Sequence, residues 1–249
     1  MNRIIGIIPA RYASSRFPGK SLADIKGKSM IQRVYEQAKK STRLSTVTVA
    51  TDNAEIYNHV QRFGGNVCMT REDHPSGTDR CYEALCLQPQ PYDYVINIQG
   101  DEPFIKPEQI DLLASKLDGI TEIATLIKKI DTAEQLVNPS VVKTVIGQNQ
   151  KALYFSRSPV PYVNRVPMPR WLEETTFYEH VGLYGYRSDI LKELVRLEVS
   201  VLEKLESLEQ LRWLENDFSI SVAETTSDTI CIDTPEDLQR AIDYLSRLE

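Results

Sequence analysis

Cysteine is scarce: Cys68, Cys81, Cys86 and Cys231 are the four among 249 residues. None sits in a CxxC pair or beside a histidine, so neither a zinc site nor a disulfide framework is indicated, and buried free thiols in a reducing compartment are expected. No apolar run approaches the roughly 18 residues that a membrane span needs. The run Ile4 to Ile8 is short and leads into Arg11 without a cleavage-type site, so it reads as a strand and not as a signal peptide. Basic stripes are also missing. With 29 Lys+Arg against 35 Asp+Glu and a formal net charge of −6, the chain is not built to bind nucleic acid, although a small basic pocket for a phosphorylated ligand is compatible with it. These absences describe a cytoplasmic protein without membrane insertion. Its composition is otherwise globular, and 249 residues can bury a full core without staples.

Short β-branched runs alternate with helical spacing through the first half of the chain. Ile4 to Ile8, Thr46 to Ala50, Asn66 to Met69 and Tyr94 to Ile98 read as strands. Met30 to Lys40, Ala54 to Phe63, Thr78 to Leu87 and Pro107 to Leu117 read as helices. Such alternation predicts parallel βαβ units, hence an α/β protein with a Rossmann-like, mostly parallel sheet flanked by helices. The pattern then loosens. Glu122 to Ile127, Val141 to Ile146 and Leu153 to Phe155 look like strands without regular helices between, and Ser158 to Arg170 carries four prolines. The chain is therefore expected to be a single domain over 1–249, with about 120–186 contributing a smaller β-rich lobe. Strand Val181 to Tyr186, helices Asp189 to Leu197 and Leu202 to Leu214, strands Ser219 to Ala223 and Thr229 to Ile232, and helix Pro235 to Leu248 are expected to complete it.

The residues with chemistry to offer cluster at the ends of the expected strands. After the first comes the stretch Pro9 to Lys20, where Arg11, Arg16 and Lys20 can converge on one polyanion, because open α/β sheets bind ligands outside the carboxyl ends of their strands. Gly19-Lys20-Ser21 matches the end of a Walker A loop, but the loop's first glycine would fall at Ser14, and a GxGxxG fingerprint is missing here too. Asp101, in Gln99-Gly100-Asp101-Glu102-Pro103, follows the apolar strand ending at Ile98, where a carboxylate can hold Mg²⁺ on a phosphate; the competing reading is plain turn chemistry. Asp233 ends another strand-like run. Helix capping by Thr234, Pro235 and Asp237 explains its neighbours and leaves Asp233 itself for a second metal carboxylate. Ser76-Gly77-Thr78-Asp79-Arg80 enters a helix, where a small residue admits a ligand and Arg80 could read a base or phosphate, or where Thr78 is simply an N-cap.

Seven segments in this order, IIPARYASSRFPGKSL, SGTDR, VINIQGDEPFI, LYFSRSPVPY, HVGLYGYR, LESLEQLRWLE and IDTPEDLQRA, span nearly the whole chain. They closely resemble the 3-deoxy-manno-octulosonate cytidylyltransferases, or CMP-Kdo synthetases. The resemblance implies a homodimer formed through the lobe, Mg²⁺ as cofactor, and transfer of CMP from CTP to the anomeric hydroxyl of Kdo, releasing diphosphate and supplying lipopolysaccharide assembly. It makes Arg11, Lys20, Asp101 and Asp233 the catalytic group. Pro9, Ala10, Arg11, Arg16 and Lys20, with Ser76, Gly77 and Arg80, would hold the nucleotide. Gln99, Arg157, His180, Tyr184, Glu209 and Gln210 would hold the sugar, Arg157 by a forked pair with its carboxylate. A cytidylyltransferase for another acidic sugar such as 8-amino-Kdo, and an inactive nucleotide-binding homologue, are the alternatives.

Overall fold

The structure, a computed structural model, describes residues 2–13, 17–228 and 230–246. Eleven strands are assigned among them: β1 (Ile4–Ala10), β2 (Asp24–Ile25), β3 (Lys28–Ser29), β4 (Thr46–Thr51), β5 (Val67–Met69), β6 (Tyr94–Asn97), β7 (Ile123–Lys129), β8 (Lys143–Ile146), β9 (Ala152–Ser156), β10 (Tyr178–Arg187) and β11 (Ile220–Glu224). The helices are α1 (Met30–Ala38), α2 (Ala54–Arg62), α3 (Gly77–Cys86), α4 (Pro107–Ala114), α5 (Ala133–Val137), α6 (Trp171–Glu174), α7 (Ser188–Leu194), α8 (Val201–Glu206), α9 (Glu209–Glu215) and α10 (Pro235–Ser246).

The main sheet runs β11-β7-β10-β6-β1-β4-β5. It is parallel throughout except at β10, which is antiparallel to both β6 and β7. Both faces are covered, as the continuous apolar runs of β1 and β6 require. Along β1, Ile4 and Ile8 enter one core with Ile31, Val34, Ile56 and Leu113 of α1, α2 and α4. Ile5 and Ile7 point the other way, into a core with Cys81, Leu191, Leu211 and Trp213 of α3, α7 and α9. A third, smaller cluster joins Ile25 and Met30 to Ile232 and Ala241, so α10 is a strap laid across the β2–β3 hairpin.

The α/β expectation is met, and several element boundaries differ from it. β7 and β10, near the two ends of 120–186, are interior strands of the main sheet. The β8–β9 hairpin is an extension paired to β10, and Ile130, Leu136, Trp171 and Phe177 form a separate apolar cluster within this stretch. The single helix expected over Leu202 to Leu214 is two, because Ser207 takes a left-handed conformation (φ 51°) that ends α8 before buried Leu208 opens α9. No strand forms over 230–232, and Thr229 lies outside the described residues; the Ile232 amide instead donates to the Asp101 carbonyl at 2.9 Å. The hairpin β2–β3 and the capped helix α5 went unforeseen. The hairpin turns through Lys26 (φ 52°) and Gly27 (φ 82°), where positive φ favours glycine.

The functional end of the sheet is where β1 and β6 finish side by side, with β4 beyond β1, so the connections leave in opposite directions and open a crevice. Gly100 makes the closeness of these ends possible. A Cβ there would stand 2.7 Å from the Pro9 carbonyl oxygen, which backbone on both sides cannot relieve. Gly100→Ala is expected to cost about 1–3 kcal/mol, measured as a lowered urea midpoint; an unchanged midpoint would show that the strand ends can part freely.

Candidate active site

The crevice is a cleft of about 300 Å³. One wall is the end of β1 and the loop after it, with Pro9, Ala10, Arg11, Lys20 and Ser21. The opposite wall is the entry to α3, with His74, Pro75, Ser76, Gly77 and Arg80, and the floor comprises Gln99, Gly100, Asp101 and Asp233. Residues from four separated parts of the chain therefore meet in one space. Arg16 lies outside the described residues.

At one end of the cleft the Lys20 ammonium donates to Asp101 Oδ2 at 2.7 Å, to Asp233 Oδ1 at 3.0 Å and to the Ile232 carbonyl at 3.2 Å. Desolvation of this half-buried amine disfavours its charge, but the two carboxylates outweigh that and raise its pKa above the ordinary lysine value. The backbone under Lys20 is held by a left-handed Gly19 (φ 70°), whose amide donates to the Tyr12 carbonyl at 2.9 Å. Donor atoms of Asp101, Asp233 and Cys231 all lie within 4.8 Å of one another. Burial and then the neighbouring carboxylates push the Cys231 thiol well up, which leaves two hard oxygen donors. Such a pair suits Mg²⁺, and the space between the carboxylates already accepts a cation in the form of the ammonium, so these residues fit the ion. Of the four thiols expected to be buried only Cys81 is fully so: Cys68 is half-buried, Cys86 is exposed, and Cys231 keeps an exposed face although its sulfur sits among the packed atoms around Asp101 and Asp233.

The opposite wall is stiffened from behind. Ser76 caps α3, its hydroxyl accepting from the amides of Thr78 and Asp79 at 3.1 and 3.2 Å. Glu209, reaching from α9, accepts from Ser76 Oγ and Thr78 Oγ1, each at 2.9 Å, and from Arg212 at 3.0 Å. Burial raises the pKa of Glu209, and the two hydroxyls work against that rise. Glu209 thus braces the helix that lines the cleft, and its neighbour Gln210 is buried. Arg80 is committed as well: it donates to Asp52 at 2.7 Å, to Thr70 Oγ1 at 2.6 Å and to the Arg71 carbonyl at 3.1 Å. That buried pairing pins α3 to the end of β4, while Arg80 also lines the cleft. His74, which the motif reading passed over, lines the cleft with its Nε2 hydrogen-bonded to the Glu83 carboxylate.

Of the residues assigned to a sugar acid, Gln99 alone lines the cleft, and its amide donates to the Gly182 carbonyl at 3.0 Å, where β10 shifts register. His180 sits on the same strand, edge-on to Phe155 and 3.0 Å from Thr125 Oγ1, and burial pushes its imidazole down to about 3. Tyr184 packs on Tyr186 and Trp213 in the second core, its buried hydroxyl without a partner. Arg157 is elsewhere. Its guanidinium donates to the carbonyls of Glu206, Pro139 and Ser207 at 2.6, 2.9 and 3.3 Å, which makes it a clamp between β9 and the α8–α9 turn in place of the expected open fork for a carboxylate.

A cleft at the switch point of a mostly parallel sheet, lined by cations and by paired carboxylates, suits an enzyme that handles a phosphorylated ligand, and the relatives of the chain make the class nucleotidyltransferase. The model of the family described as cytidylyltransferase matches residues 5–245. A 3-deoxy-manno-octulosonate cytidylyltransferase of Parabacteroides distasonis is 53% identical over 99% of both chains, and one of Cytophaga hutchinsonii is 53% identical over 95% of both. Among solved structures, that of CMP:2-keto-3-deoxy-manno-octonic acid synthetase complexed with CTP is 42% identical, with a TM-score of 0.92 over 99% of this chain and 100% of its own. The chain belongs to the 3-deoxy-manno-octulosonate cytidylyltransferase family. A 15% identical 4-diphosphocytidyl-2C-methyl-D-erythritol synthase of Anaerococcus prevotii shares the fold, with a TM-score of 0.65.

The half-buried His180, whose ring is packed against Phe155 and Tyr184, has a consequence for acid stability. Its pKa is near 6.5 when unfolded and about 3 when folded, so the unfolded chain takes up the proton first and stability falls as pH drops from 6.5 towards 3, with no contribution above 6.5. Between neutral pH and about pH 4.5 the wild type should therefore lose about 2 kcal/mol more than His180→Asn, compared by urea titration at both pH values. Equal losses would place the ring in contact with bulk water.

Proposed function

We propose that the protein transfers the CMP group of CTP to the anomeric hydroxyl of 3-deoxy-manno-octulosonate and releases diphosphate. The observation that carries this reading is the cleft itself, which gathers Arg11, Lys20, the start of α3, Asp101 and Asp233 around one space, in a family whose solved relative is described as complexed with CTP. In-line attack of the sugar hydroxyl on the α-phosphorus needs no covalent enzyme intermediate. The protein's work is to position both substrates and offset the charge of the triphosphate.

Arg11, Lys20 and Arg16 are assigned to the phosphates, helped by the positive end of the α3 dipole. Gly77 presents no side chain to the ligand. Asp101 and Asp233 would hold Mg²⁺, which when bound supplies Lewis-acid charge at the phosphate oxygens. Backbone carbonyls at Pro9 and Ala10 and in the Ser76 to Arg80 loop are assigned to the cytosine amino group. Uracil presents an acceptor at that place and would leave them unpaired, at about 1–3 kcal/mol per group. The sugar acid is assigned to the side of the cleft bounded by Gln99 and the irregular stretch of β10, with His180, Tyr184 and Gln210 behind it and Glu209 bracing both sites. Arg157 would have to break three carbonyl contacts to meet a carboxylate, so it is assigned to the scaffold of that side. A homodimer through the lobe, where Val137, Leu153, Tyr162 and Met168 are exposed, and a cytoplasmic place ahead of lipopolysaccharide assembly complete the proposal.

Diphosphate release measured with Kdo and each nucleoside triphosphate tests it. CTP should be used at least about tenfold better than UTP, and Asp101→Asn or Asp233→Asn should lower turnover at least about a hundredfold with an unchanged circular dichroism spectrum. Equal use of UTP would refute the cytosine assignment, and near-normal turnover in either variant would remove that aspartate from the metal site.

A further inference from the structure

The position of Lys20 has no place in a site occupied by a metal ion. Its ammonium lies 2.7 Å from one carboxylate and 3.0 Å from the other, in the space that a divalent cation bound to both would fill. Two positive centres cannot share that space, because at such separations their repulsion amounts to several kcal/mol even with strong screening. Nor can the backbone carry the residue away. The amides of Gly19, Leu22 and Ala23 fix it by donating hydrogen bonds to the carbonyls of Tyr12, Gly19 and Lys20 at 2.9, 2.9 and 3.0 Å, and Ser21 is buried. The side chain borders the cleft and rides on four methylenes, so it can swing once its three contacts are given up.

We infer that Lys20 is a placeholder cation: in the nucleotide-free enzyme it holds Asp101 and Asp233 together, and the incoming metal ion displaces it towards the triphosphate. The inference rests on the reading that the two aspartates hold Mg²⁺. It gives Lys20 a positioning role before it touches substrate. Asp101 belongs to the loop after β6 and Asp233 to the lead of the α10 strap, and the same ammonium also holds the Ile232 carbonyl of that strap. Without a cation between them the carboxylates would repel and pull strap and sheet apart. With Lys20 there, a stray metal ion must compete with an internal charge, which favours capture of metal together with the triphosphate that gives the displaced ammonium a new partner.

Binding of Mn²⁺ to nucleotide-free enzyme, followed by electron paramagnetic resonance, separates the possibilities. Lys20→Met should bind Mn²⁺ at least about tenfold more tightly than wild type, whereas Lys20→Arg, which keeps the charge, should show no gain. Unchanged or weaker binding in Lys20→Met would overturn the inference. Adding Asp101→Asn to Lys20→Met should abolish the tight binding; if it does not, the metal reading itself fails, and the placeholder with it. The wild type offers a check that needs no variant: saturating Mg²⁺ without nucleotide should speed acetylation of the Lys20 amine severalfold, read by mass spectrometry, and an unchanged or slower rate would contradict displacement.

Discussion

Two carboxylates facing one another across a narrow gap repel unless a cation stands between them, and the architecture of this protein arranges such a gap on purpose-built supports. Asp101 is carried by the turn that follows β6, whose residues Tyr94 to Ile96 are fully buried. Asp233 is carried by a segment without regular structure, anchored through Ile232 to a small cluster of its own. Among the described residues the Lys20 ammonium and a backbone hydrogen bond from Ile232 to Asp101 link them.

The same economy appears on the opposite wall. Arg80 pairs with Asp52 and Thr70, and Glu209 with two hydroxyls and Arg212. Removing one member of a buried pair such as Arg80 and Asp52, at 4% and 9% side-chain exposure, leaves an uncompensated charge, which is costly. These groups hold the start of α3 rigidly against the cleft. A site whose task is to position two anionic substrates depends on such bracing, because a misplacement of about 1 Å is enough to cost a large factor in rate.

Much of this was legible before any coordinates. Arg11 and Lys20 follow the first strand and Asp101 follows β6, so the strand-end rule brings these three together; Asp233 was placed by an expected strand that does not form over 230–232, and it reaches the cleft because the Ile232 amide is held by the Asp101 carbonyl. What stayed hidden depends on pairing between distant segments. Lys20 meets its two partners across 81 and 213 residues, and no local pattern announces that. Ser207 breaks a helix whose apolar spacing continues through it, a case where a backbone conformation overrides periodicity. Arg157 was assigned by family resemblance to a carboxylate; here its partners are carbonyls, which composition and spacing do not reveal. His74 carried no signal beyond its place two residues before a cap.

The most direct test of the account is a crystal structure of the enzyme with CTP and Mn²⁺, with anomalous scattering locating the metal. The account predicts a manganese peak between Asp101 and Asp233, the nucleotide in the cleft beside α3, and the Lys20 amine withdrawn from the carboxylates onto phosphate oxygens. A CTP complex in which Lys20 still bridges the two aspartates and manganese lies elsewhere would contradict it.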